Sequence, residues 1–190
     1  MALRRGFKAE AERIALELRD EIQIGPHGPI EPLRLAEHLS VPVCTLLDLA
    51  EKAPEAVQHL TGRGRATFSA ATIYLSRTVR AIIINPAHSL ARQLNSLCHE
   101  LSHIVLDHEP GDPLQGVDGR EWNPDHENEA DWLAGCLLLP DEAALAAARM
   151  GRSVTEVAAI FGVSEALATW RMNATGAYVR AGRIRKRYGR

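Results

Sequence analysis

The sequence predicts an α+β fold, mostly helical, with a small antiparallel sheet ahead of its most regular helices and further helices at the C-terminal end. Three observations carry this. Leu94, Leu97, Cys98, Leu101, Ile104 and Val105 recur at helical spacing, and Ala130, Leu133, Ala134, Leu137 and Leu138 repeat the pattern. Residues 67–75 and 80–85, the latter with Ile82, Ile83 and Ile84, read as two strands close enough to pair antiparallel. The chain has 190 residues with 46% hydrophobic content, enough to bury one core, so global disorder is excluded.

In chain order, residues 8–22 form the first helix, with Ala11, Ile14, Ala15 and Leu18 on one stripe and Gly25-Pro26 as the stop. A short helix over 33–39 follows Pro32, 43–49 reads as a strand, and 54–60 as another short helix before the Gly62 and Gly64 turn. Asn85-Pro86 ends the second strand of the pair. Ser89 is the expected N-cap of a helix running to about Leu106. Residues 107–124, rich in Gly, Pro and Asp, read as a long surface loop, and a helix over 125–139 ends at Pro140. Two or three helices fill 142–178, and the basic tail 180–190 is expected to fray.

Composition narrows the function classes. No stretch is apolar enough to span a membrane, and the charged start lacks a secretory signal's apolar block, so a cytoplasmic protein is expected. Cys44, Cys98 and Cys136 are odd in number and far apart, which argues for buried thiols rather than disulfides. The net charge of −2 conceals a polarised chain. Residues 100–142 carry twelve acids against the single Arg120, whereas 166–190 carry seven basic residues and no acid. An acidic middle suits a cation, and a basic end suits an acidic partner or nucleic acid.

His99-Glu100-Leu101-Ser102-His103 is an HExxH motif. Histidines four apart on a helix stack on one face, so both imidazoles can bind one tetrahedral zinc ion while Glu100 acts as general base. A catalytic zinc needs a third protein ligand. The extended HExxHxxGxxH pattern fails, because Leu106 and Glu109 stand where Gly and His are required. The spacing Glu127-Asn128-Glu129-Ala130-Asp131 offers the other solution. Glu127 is preferred as ligand over Glu129, which is expected on the solvent side of its helix, and Asp131 is placed to orient a ligating imidazole. His108 and His126 are lesser rivals as ligands. Tyr74 and His126 are candidates to polarise a substrate carbonyl.

These residues, with Trp132-Leu133-Ala134 and Leu137-Leu138-Leu139-Pro140 behind them, resemble the IrrE/ImmA-like zinc metallopeptidases. The resemblance is specific over 67–140, and residues 29–43 look like that family's N-terminal segment. Ser102 stands where the family usually has Gly, and Leu133 where Phe is common. The resemblance implies a zincin-like core over 61–145, flanked by an N-terminal helical segment (1–60) and a C-terminal helical segment (146–190), in the short ImmA-like form. It also implies an endopeptidase, associated with stress responses or mobile elements, that cleaves a helix-turn-helix repressor.

One motif competes. Residues 154–169 read as a helix-turn-helix, with Gly162-Val163-Ser164 as the turn. Its second helix begins Glu165-Ala166-Leu167-Ala168, poor in base-reading side chains, so packing on the core is favoured over DNA reading. The alternative function is a DNA- or partner-binding regulator with a structural metal site.

Overall fold

Strand β3 (Arg80–Ile84) is the centre of a three-stranded sheet of order β1-β3-β2. The computed structural model describes residues 3–74, 79–108 and 123–188. β2 (Ala70–Tyr74) pairs antiparallel with β3, Thr72 opposite Ile82, as the adjacent β-branched runs predict. β1 (Val43–Thr45) pairs parallel on the other side, Val43 opposite Ile82, so the sheet is mixed rather than purely antiparallel. The expected strand over 43–49 is cut short because Thr45 and Asp48 form a reciprocal capping box that winds Leu46–Leu49 into a 3-10 turn. A second 3-10 turn, Arg65–Thr67, delays the start of β2.

The remaining elements are helices: α1 (Phe7–Glu21), α2 (Pro32–His38), α3 (Pro54–Thr61), α4 (Leu90–Val105), α5 (Pro124–Leu138), α6 (Asp141–Arg149), α7 (Val154–Phe161), α8 (Glu165–Ala174) and α9 (Ala177–Tyr188). The fold is α+β. Leu97, Cys98 and Leu101 of α4 and Leu133, Ala134 and Leu137 of α5 are buried in one core cluster that runs from Phe7 to Ala181. α4 therefore lies between the sheet and α5, while α1 packs on the other flank of α5. Ser89 holds the N-cap position of α4 without a side-chain capping bond, whereas Asn123 caps α5 by accepting from Asp125 and His126.

Two buried arginines cross-link this core. Arg19 donates to the carbonyls of Gly25 (2.9 Å), Gly28 and Leu137 (2.6 Å), pinning the turn after α1 to α5. Arg171 donates to Leu139 O (2.9 Å) and pairs with Glu12, pinning α8 to α1 and to the end of α5. A Cβ on Gly135 would overlap the Trp170 ring, so glycine lets α8 approach α5 closely. Trp132 meets Trp170 edge to face, with the Lys8 ammonium 4.1 Å from its ring centre.

At the C-terminal end, Ser153 and Ser164 cap α7 and α8, and Gly162 turns between them at φ 67°. The tail does not fray as expected: α9 is helical to Tyr188, because Ala177 and Ala181 are buried in the core and Arg180 pairs with Asp141 of α6. Cys98 and Cys136 are buried and Cys44 half-buried, all unpaired. Most of the expected loop 107–124, with Glu109 and Trp122, lies outside the described residues. No helix among the described residues is long and apolar enough to cross a membrane.

Candidate metal centre

α4 presents two different faces. Leu97, Cys98, Leu101 and Ser102 are buried, and the fully enclosed Ser102 hydroxyl donates back to Cys98 O at 2.7 Å. His99 and His103 look toward α5, with side chains 21% and 16% exposed. Their Nε2 atoms lie 3.1 Å apart. From α5, Glu127 reaches them: Oε2 is 3.3 Å from His99 Nε2, and Oε1 is 3.6 Å from His103 Nε2. Among the described residues this trio is the one group of three whose donor atoms could share an ion.

The donor set fits zinc. Ligands about 2.0–2.1 Å from a tetrahedral ion stand about 3.3 Å from one another, and the three separations scatter around that value. Two imidazoles and one carboxylate are also the chemistry of an open zinc site, which keeps a position for water. His99 Nδ1 meets Asp131 Oδ1 at 2.9 Å, one turn along α5 from Glu127. Such a bond puts the His99 proton on Nδ1 and leaves Nε2 toward Glu127.

Electrostatics follow from this crowding. Burial disfavours charge on His99, but hydrogen bonds to Asp131 and Glu127 outweigh it and push its pKa up to about 9. The hydrogen bonds from His103 and His99 hold the Glu127 carboxyl far below the usual carboxylate range. An incoming cation therefore has to displace a proton from His99 at neutral pH.

Glu100 stands between the two histidines on α4 but outside the trio, and it contacts the sheet. It is 6% exposed, and its Oε2 accepts from Thr72 Oγ1 of β2 at 2.6 Å. That contact joins residues 28 positions apart, so no local sequence signal marks Thr72 as a site residue.

Glu129 corrects an expectation. Its side chain is only 14% exposed, because that side of α5 is covered: Arg4 Nε donates to Oε1 at 2.9 Å, and His108 Nε2 lies 3.4 Å from Oε2. Of the rival ligands, His108 faces His103 through Nδ1 at 2.9 Å, and His126 stacks on His108 with centroids 4.2 Å apart. Neither joins the trio. Tyr74 lies beside Arg80, whose guanidinium carbon is 5.5 Å from its ring centre.

A search of curated proteins returned no match. The family model for the IrrE N-terminal-like domain (Peptidase_M78) matches residues 62–173, a span that holds β2, β3, the HExxH helix, the Glu127 helix, α6, α7 and all but the last residue of α8. Because that match covers more than half of the chain, the protein belongs to the IrrE N-terminal-like family of metallopeptidases.

Proposed function

We propose that the chain is a zinc-dependent endopeptidase that cleaves a regulatory protein in the cytoplasm, by its family resemblance a helix-turn-helix transcriptional repressor. One observation carries the catalytic part: His99, His103 and Glu127 converge while Glu100, between the two histidines on α4, is held separately by Thr72. In this reading the first three hold the ion and Asp131 orients His99.

A bound zinc ion supplies Lewis acidity at the scissile carbonyl and makes a water molecule easier to deprotonate. The chain's own groups do the rest. Glu100 takes the proton from the attacking water and returns it to the leaving amine. Thr72, by occupying one carboxylate oxygen, sets the direction in which the other faces. Among the described residues no strand covers the outer edge of β2, and an extended peptide can add there as a further strand. The acidic middle of the chain attracts a basic partner such as a DNA-binding domain.

A second reading rests on α9, whose exposed Arg183, Arg185 and Lys186 suit a polyanion. It makes the protein a DNA- or partner-binding regulator with a structural metal site. Glu100 speaks against it, since a structural site has no use for a buried general base beside its ligands.

The test is Glu100→Gln, which removes the base and leaves every proposed ligand. Incubated with a co-encoded repressor, the wild-type chain should give discrete fragments that a chelator abolishes. The variant should keep its zinc and cut nothing. Equal cleavage by the variant would remove Glu100 from the mechanism, and rapid digestion of casein would point to a general peptidase.

A further inference from the structure

We propose that His108, backed by Glu129 and Arg4, is a positioning relay that sets the tautomer and aim of His103. The inference rests on the metallopeptidase reading above and extends it to residues that touch neither substrate nor metal.

The origin is local. Leu106 is the C-cap of α4, and Asp107 takes the left-handed conformation at φ 50°. His108 N then donates to His103 O (3.0 Å) and Asp107 N to Ile104 O (3.2 Å), the pair of bonds that defines a Schellman ending. That ending folds the second residue past the cap onto the residue three positions before it, where an apolar contact is usual. In this chain two imidazoles meet instead, edge to face, with centroids 5.0 Å apart and Nδ1 atoms 2.9 Å apart.

A neutral imidazole carries one N–H, so of two facing Nδ1 atoms one donates and the other accepts. His103 needs Nε2 bare to serve as a ligand beside Glu127, which puts its proton on Nδ1. His108 must then accept at Nδ1 and carry its own proton on Nε2, 3.4 Å from Glu129 Oε2. Glu129 is held in turn by Arg4, and the His126 ring lies flat against His108, with 6° between the planes. Every member has a partner that dictates its orientation. The two ligand histidines are thus supported differently: Asp131, behind His99, has a side chain 49% exposed, whereas that of His108 is 7% exposed.

Zinc affinity of the full chain, measured by competition with a chromophoric chelator, tests this, together with the visible spectrum of the cobalt-loaded protein. His108→Phe keeps the stack on His126 and removes the acceptor; it should weaken zinc binding by about 10- to 100-fold and alter the cobalt bands. His108→Asn places Oδ1 near the position of Nδ1 and should restore most of both, a rescue that simple packing would not produce. Wild-type-like affinity, within about twofold, in a folded His108→Phe variant overturns the relay, as does Asn performing no better than Phe. Should His108→Phe not fold, Glu129→Leu takes its place, with a loss of about tenfold expected and an unchanged affinity overturning the proposal. His103→Ala separates the two levels. If it keeps its zinc, His103 is no ligand and the site reading fails; if it loses zinc while the relay variants do not, only the relay fails.

Discussion

The α4–α5 interface and the α7–α9 region carry ionisable groups in opposite ways. Between α4 and α5, His99, His103, Glu127 and Glu129 are turned inward and shielded, and Glu100 is buried against β2; each meets another polar group of the site or of its rim. In α7–α9 the cations of the helices stay mostly outside: Arg183, Arg185 and Lys186 are exposed, and Arg171 alone is buried. Burying a charge is costly unless it is paired, and an apolar interface of the same size holds two helices together at less expense. A cluster of inward carboxylates and imidazoles is therefore poor glue. Its retention at the best-packed helix pair is understandable as chemistry, while the single inward arginine of α8 is understandable as a cross-link between backbone and Glu12.

If this contrast is right, substitutions in the two regions should separate metal binding from stability. The largest effect is expected at Glu127. Glu127→Gln should lower zinc affinity by more than about 100-fold, beyond what removing an outer group does, while Glu129→Gln should lower it by about tenfold at most. Metal content after dialysis would show this, and the reverse order would mean that the third ligand had been misassigned.

A middling effect is expected where α8 meets α5. Gly135→Ala forces a methyl group into the Trp170 ring and to within 2.9 Å of Arg171 Cδ. It should cost about 1–3 kcal/mol in urea unfolding and leave the zinc affinity of the folded protein unchanged. Loss of zinc in step with stability would show that the C-terminal helices and the site act as one unit.

The smallest effect concerns DNA. With Glu165 at the start of α8 and Arg171 buried, the helix pair has little with which to read bases. Fluorescence anisotropy at physiological salt should find no sequence preferred by as much as about 10³-fold over others. A preference of that size would favour the regulator reading.

The sequence by itself determined what depends on neighbours in the chain. The two apolar stripes appear as α4 and α5, Gly162 and Ser164 shape the turn into α8, and the four-residue spacing of His99 and His103 brings their rings together edge to face, because helical periodicity and capping act within one or two turns. The Asp107-His108 ending belongs to the same class, and its bonds to Ile104 and His103 are local. Tertiary structure decided the rest. The parallel pairing of β1 with β3 joins segments nearly 40 residues apart, and the Thr72–Glu100 bond spans 28. Arg4 reaches Glu129 across 125 residues, which converts an expected solvent face of α5 into a covered one. Such contacts leave no period in the sequence, since their energy comes from surfaces that meet only once the helices and strands have packed.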